Sequence, residues 1–468
     1  MIPWLRAIIN LRRREHAVES QPRLDGIEVR IGGAAFAGVR SHIENFRHGE
    51  EAGFLLCGYA RAEDRDVLLA REWMPVLEHQ KVQRGRYGLE WTPAFSALVL
   101  ARADALHAGV VLIHSHGKSS GPGLSGDDRD TAERILSGFS RLLGRPCGSV
   151  VLGTDAAAGV FYRDGERAGE LSFIRVVDAP LVFWYPTAVA KPRRERRRLD
   201  RQNRAIGPLA DAHLAAASVA VIGVCGGGSH VCQQLAHQGV GRIVPIDDEL
   251  VEEVNLGRMI GATPADVDRT PKTAVMRRLI NAVDPDTHVD EVRGRFPEEK
   301  TLAAVKTVDL VVACVDSFLV REQVNAFCRR HHVPLIDVGM NIRTTGEKLE
   351  RADGQTVVVL PDSSCLRCTS LLSDAVLERE RKERPPGYDL NPYALGDPQV
   401  VSMNGVLASE ACNSALDYLT GYAGGSRGAA WWAYDGKRGE VTRYELPGRR
   451  TLCPACAEQG HGDPLLSG

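Results

Sequence analysis

The sequence carries no excess of charge of one sign, no long apolar run and no disulfide framework. Its 58 Lys+Arg nearly cancel 60 Asp+Glu, leaving a net charge of −2 over 468 residues. The field of the whole chain therefore gives no case for nucleic acid or an anionic membrane as the main partner. No apolar stretch approaches the roughly 18 residues that cross a bilayer. The opening MIPWLRAIINLRRR has too short an apolar stretch for a signal peptide, so the chain reads as cytoplasmic. Its 11 cysteines are an odd number, and a disulfide scaffold is excluded at this size. No internal repeat or low-complexity tract stands out.

What is present is the composition of an ordinary globular protein, 44% apolar and 25% charged. At roughly 150 residues per domain the length suggests about three domains. The clearest boundary is KPRRERRRLDRQNR, residues 191–204, which reads as an exposed basic linker or solvated helix. Before it, the apolar runs Gly53–Cys57, Asp66–Leu69, Val110–Ile113 and Ser149–Leu152 read as strands, and Ala132, Ile135, Leu136, Phe139 and Leu143 recur at helical spacing after Ser125. That region is α+β. After the linker, Ser218–Ile222, Arg242–Ile246, Asp309–Cys314 and Val333–Val338 alternate with helical segments, the pattern of a parallel α/β sheet. WWAYDGKRGEVTRY reads as strand, Asp-Gly turn and strand.

The strand GVVLIHSH ends in His114 and His116. Residues two apart on a strand project to one face, so both imidazoles reach one metal ion. The following S-x-x-D, Ser125 and Asp128, is a helix-capping pattern when taken alone. Joined to His-Ser-His it completes a hydrolytic zinc site: three ligands (His114, His116, Asp128), a hydroxyl (Ser125) for the oxyanion, and a general base from elsewhere. The base falls to the pair Glu50-Glu51 before AGFLLCG, with Glu50 preferred. Over residues 25–185 this resembles the JAMM (MPN+) metallopeptidases, with a loop one residue longer than usual and Gly117 where proline is common. The resemblance implies zinc on His114, His116 and Asp128, Glu50 as base, and Ser125 at the oxyanion.

A second constellation follows in SVAVIGVCGGGSHVCQQLAHQGVGRIVPIDDELVEEVNLGR. Glycines let a strand-to-helix turn approach phosphates, and the helix N-terminus favours their charge. Gly223, Gly226, Gly227 and Gly228 supply the turn, Cys225 stands where the second glycine of G-x-G-x-x-G belongs, and Asp247 lies where a ribose-binding acid belongs. Asn255 to Arg258 and Lys272 favour ATP over a nicotinamide, since they set two cations toward a triphosphate. Asp316 after DLVVACVDS is a candidate Mg²⁺ ligand.

Over residues 197–457 the chain resembles the ThiF-type adenylyltransferases, the catalytic core of ubiquitin-activating enzymes. The resemblance implies Asp247 on the ribose, Asn255, Arg258 and Lys272 on phosphates, and Asp316 on magnesium. It also turns part of the linker into a signature in which Arg201 reaches the triphosphate of the other subunit of a homodimer. The pairs Cys365/Cys368 and Cys453/Cys456, 84 residues apart, form the closed four-sulfur set of a structural zinc. Cys232, Cys314, Cys328 and Cys412 read as buried packing residues. Enzymes of this type that pass their substrate on as a thioester carry a cysteine in the crossover segment, yet Thr369 to Ala411 contains none. Adenylation alone is the default expectation. A cysteine elsewhere, or Ser402 through an oxyester, are the other routes, although Ser402 reads first as loop or strand packing.

The expected organisation is an α/β chain with an extension over 1–24, a JAMM domain over 25–185, the basic linker over 186–205 and a Rossmann-like adenylation domain over 206–468. The expected function is ATP- and Mg²⁺-dependent adenylation of a ubiquitin-like protein ending in glycine, with zinc-dependent hydrolysis of its precursors or isopeptide conjugates. A conjugating-enzyme-like protein is a further expected partner. Such fusions resemble bacterial ubiquitin-like conjugation systems, some of them antiviral. The alternatives are activation of a sulfur-carrier protein with release of the carrier, and a catalytically degenerate scaffold.

Overall fold

The computed structural model describes residues 26–44, 50–82, 90–116, 123–186, 196–207, 209–383 and 398–464. The expected extension over 1–24, Gly117 and residues 187–195 of the basic stretch lie outside the described residues. Two units emerge. One comprises residues 26–186 with Arg330–His332 and 458–464, the other residues 196–329 and 333–457.

The first unit is built on strands β1 (Gly26–Gly32), β2 (Ala52–Arg61), β3 (Arg65–Pro75), β4 (Gly109–His114), β5 (Cys147–Leu152), β6 (Ala157–Arg163), β7 (Glu166–Val177) and β8 (Val182–Trp184). They hydrogen-bond in the order β1-β3-β2-β4-β5-β6-β7-β8, and a parallel pairing of β1 with β7 closes the sheet on itself. Both faces are apolar because side chains alternate along each strand. Leu55, Cys57, Val111 and Ile113 pack with Phe36 and Val39 of helix α1 (Gly33–Ile43). Phe54, Leu56, Val110 and Leu112 pack instead with Phe95 and Val99 of α2 (Pro93–Ala105) and with Leu136 and Phe139. Leu136 and Phe139 lie on the helix expected after Ser125, which runs as α3 (Gly126–Thr131), a π turn over Ala132–Leu136 and α4 (Ser137–Leu143).

In the second unit α5 (Asp200–Ile206) precedes β9 (Ser218–Ile222), α6 (Gly226–Gln238), β10 (Arg242–Asp247), α7 (Lys272–Val283), β11 (Leu310–Ala313), α8 (Phe318–Arg330), β12 (Leu335–Thr345), β13 (Lys348–Val359), α9 (Val401–Thr420), β14 (Ala430–Asp435) and β15 (Glu440–Glu445). The sheet runs β10-β9-β11-β12-β13-β14-β15, parallel from β10 to β12 and antiparallel beyond. The chain leaves β9 for β10 on one side and comes back to β11 on the other. This reversal opens a crevice at the carboxyl ends of β9 and β11. The hairpin expected in WWAYDGKRGEVTRY is β14–β15. Cys232, Cys328 and Cys412 are buried as expected, whereas Cys314, just past the end of β11, is only half-buried.

Part of the basic stretch is the exposed helix that was one of its two expected forms, α5, with Arg201 and Arg204 exposed, while Arg196 just before it is drawn in. Arg196 donates to Asp211 Oδ1 (2.6 Å), Asp284 Oδ2 (3.3 Å) and the carbonyl of Gly239 (2.9 Å). Arg198 pairs with Asp284 as well. Asp211 and Asp284 are themselves buried, and a buried carboxylate left unpaired is costly, so these arginines are drawn onto the unit. Among the described residues no helix is long and apolar enough to cross a membrane.

Two glycines shape the mouth of the crevice. Gly223 has φ +81°, and a Cβ on Gly228 would stand 1.9 Å from the Gly223 carbonyl oxygen. That oxygen is backbone and cannot yield like a flexible side chain. Gly228→Ala is expected to cost at least about 2 kcal/mol, measured by chemical denaturation. A stability within experimental error of the parent would contradict this tight turn.

Candidate functional site

In the first unit the sheet delivers a cluster of ligand atoms. His114 Nε2 lies 3.0 Å from Asp128 Oδ1, and His116 Nε2 lies 3.1 Å from Asp128 Oδ2. One ligand atom from each of the three residues fits within a span of 4.8 Å, the arrangement that three ligands of one zinc adopt. Asp128 is in place because Ser125 caps α3: its Oγ accepts from the Asp128 amide at 3.1 Å and donates to Asp128 Oδ2 at 2.6 Å. The capping pattern and the ligand set are thus the same residues. Burial works to raise the Asp128 pKa, but its bonds with His114 and Ser125 win and hold it well below the ordinary carboxylate range. The Ser125 hydroxyl is thus engaged with Asp128.

The two candidate bases differ in their contacts. Ala52 pairs with His114 as the last rung of the antiparallel β2–β4 ladder, so Glu50, Glu51 and His116 lie beyond it and register assigns neither glutamate. Ser115 Oγ donates to the Ile43 carbonyl of α1 at 3.0 Å, and buried Glu51 takes Lys81 Nζ at 2.8 Å with His42 at 3.6 Å. Glu51 is committed to an ion pair on the α1 side.

In the second unit the crevice gathers most of the predicted nucleotide residues. The Gly223–Gly228 turn opens α6. Asp247, the last residue of β10, accepts from the Val224 amide and from the Glu249 amide, each at 3.0 Å. This fixes the carboxylate beside the turn. Burial raises its pKa. Lys272 begins α7 with its side chain buried and paired to Glu249. Burial would lower its pKa, but its electrostatic interactions with Cys225, Asp247 and Glu249 outweigh that and push it up to about 12. Arg258 passes beside Gly226, with its Cδ 3.7 Å from where a Cβ would sit, and its Nη1 donates to the Val254 carbonyl at 3.4 Å. Asn255 is buried and spends its Oδ1 on the Glu252 amide, capping the 3₁₀ turn Glu253–Asn255 at 2.9 Å. Asp316 is exposed in the loop between β11 and α8, and Arg201 is exposed on α5. Ser402 is exposed in the first turn of α9, not in a loop or strand as expected.

The four cysteines of the C-x-x-C pairs meet in the core of this unit. Their Sγ atoms stand 3.9 Å apart for Cys365 and Cys368, 3.5 Å for Cys365 and Cys453, and 3.7 Å for Cys368 and Cys456. Four thiolates at about 2.3 Å from a tetrahedral zinc stand roughly 3.8 Å apart, so the set fits the ion. Hydrogen bonding from Cys456 foremost pulls the Cys365 thiol below its ordinary range against the effect of burial, the direction that favours the thiolate a metal binds. The Arg450 amide also donates to Cys368 Sγ at 3.4 Å.

The ThiF family model matches residues 199–455, more than half of the sequence. The chain belongs to the ThiF family. Among curated relatives, the SAMP-activating enzyme E1 of Haloferax volcanii is 32% identical over 175 residues, which is 36% of this chain and 61% of that protein. The sulfur carrier protein ThiS adenylyltransferase of Escherichia coli is 30% identical over 252 residues, 53% of this chain and 88% of that protein. The adenylyltransferase and sulfurtransferase MOCS3 of Mus musculus is 29% identical over 260 residues, 54% of this chain and 50% of that protein. The chain thus spans less than two thirds of the first and third of these.

Within the ThiF unit, sequence reasoning passed over Glu249. It is the third acid of the run Asp247-Asp248-Glu249, and only the fold shows that it, and not Asp248, holds Lys272. A buried lysine raised above its ordinary value contributes stability that is present at and below that value and lost as pH rises through the folded one. The stability difference between wild type and Lys272→Met is therefore expected to stay level from neutral pH to about 10 and to change only as pH climbs toward 12. Denaturation across that range checks it; a change centred near neutral pH would contradict the assignment.

Proposed function

We propose that the chain is a two-site enzyme acting on a small ubiquitin-like or sulfur-carrier protein that ends in glycine. The observation that carries the first activity is the gathering of the glycine turn, Asp247, Arg258 and Lys272 at the switch point of a ThiF-family sheet. The amides at the start of α6 receive the phosphates of ATP, Asp247 orients the ribose, and Arg258 with Lys272 neutralises the phosphate chain. The terminal carboxylate of the partner attacks the α-phosphorus and pyrophosphate leaves, which yields an acyl-adenylate. Asp316 would hold the magnesium that screens the departing charge. Arg201, exposed on α5, serves the partner subunit's triphosphate in a homodimer. The absence of a cysteine from Thr369 to Ala411 favours direct attack on the acyl-adenylate by the next acceptor.

The second activity rests on geometry alone. His114, His116 and Asp128 would hold a zinc ion, which supplies an activated water. Glu50, two residues before β2, would serve as the general base for that water. Ser125 orients Asp128 through its cap and would supply a hydroxyl to the developing oxyanion. The Cys365, Cys368, Cys453 and Cys456 set would hold a structural zinc that ties the segment after β15 to the body of the unit.

A second reading, activation of a sulfur carrier with later release of that carrier, is favoured by the name of the Escherichia coli relative. The two readings part on the fate of the partner's C-terminus: a thiocarboxylate marks sulfur transfer, an amide bond marks conjugation.

Pyrophosphate exchange into ATP is expected in the presence of a Gly-ended partner and to fall at least about a hundredfold in Asp316→Ala; equal exchange in the two proteins would refute the magnesium role. Cleavage of an amide bond after the partner's terminal glycine is expected to disappear in Glu50→Gln with zinc retained and to survive in Glu51→Gln. The reverse pattern would move the base to Glu51.

A further inference from the structure

Helices α6 and α9 run side by side, with Gln234 Nε2 donating to Ser409 Oγ at 3.0 Å and His230 lying against Gly405. Their N-termini meet at the glycine turn. There Asn404, only 5% exposed, aims its carboxamide at the first residue of α6. Its Nδ2 lies 2.7 Å from where a Cβ on Gly226 would stand, closer than its own Cγ at 3.5 Å. Among the described residues this Nδ2 has no hydrogen-bond partner. A buried donor left unmade is costly, and this one sits where two helix N-termini concentrate positive potential.

We propose that Asn404 is a nucleotide-binding residue whose Nδ2 donates a hydrogen bond to the phosphate chain at the start of α6. This rests on the adenylation reading above and adds a residue to it. Gly226 then has a second reason to lack a side chain, because a methyl group there would press on the amide. From sequence alone Asn404 was invisible, lying 178 positions beyond Gly226 in a segment that read as packing.

The test is titration calorimetry of the full chain with ATP and with adenosine, for wild type, Asn404→Ala and Asn404→Asp, alongside thermal melts without ligand. Asn404→Ala is expected to weaken ATP by roughly tenfold or more, to leave adenosine unchanged and to melt no earlier than wild type. Asn404→Asp, which sets a carboxylate against phosphate, is expected to lose more. Equal ATP affinity in Asn404→Ala would overturn the proposal. So would a parallel loss of both ligands, which marks a packing residue. A wild-type protein that binds adenosine and ATP equally overturns the adenylation reading itself, an outcome distinct from either.

Discussion

Strict alternation of side chains along a β-strand, and the place where that alternation stops, govern both candidate sites. On β4 it keeps Leu112 and His114 on one face, and the same face continues to His116 after the last ladder bond. The imidazoles of His114 and His116 both reach Asp128 just where the ladder ends. In the ThiF unit the same rule acts differently. β9 and β11 are apolar on both faces, so no chemistry fits within them, and polar groups collect where the strands give out: the glycine turn after β9, Asp247 at the tip of β10, Asp316 after β11.

Helix starts then finish what the strand ends begin. Asp128 occupies the third position of α3 and is both cap and candidate ligand, so the local stability of that helix and the geometry of the cluster are one set of hydrogen bonds. Lys272 starts α7 and meets Asp247 and Glu249. Gly226 starts α6, and its missing side chain leaves space beside the Asn404 amide. In each case a polar group that a helix terminus needs, or a space it leaves, also serves the site.

Much of this was legible in the chain. Strand positions, the helix after Ser125, the β14–β15 hairpin and the pairing of the four cysteines follow from periodicity and spacing, which are local properties. The glycine turn was readable despite Cys225, because Gly223 and Gly228 meet demands that only glycine satisfies. What escaped was set by tertiary contact. Arg196 could not be told from its exposed neighbours in the basic stretch because its partners, Asp211 and Asp284, lie outside that stretch. Glu249 could not be told from Asp248, and Ser402 could not be placed in a helix. Glu50 and Glu51 both precede β2, so neither periodicity nor register distinguishes them.

The central claim is that one chain holds a ThiF adenylation site with its four-sulfur zinc and a separate hydrolytic zinc site. Metal content of purified protein addresses it most directly. Wild type is expected to hold about two zinc ions per chain. His114→Ala with His116→Ala should leave one, with ATP binding intact, and Cys453→Ser should lose the other. One zinc in wild type, unaffected by the histidine substitutions, would contradict the hydrolytic site.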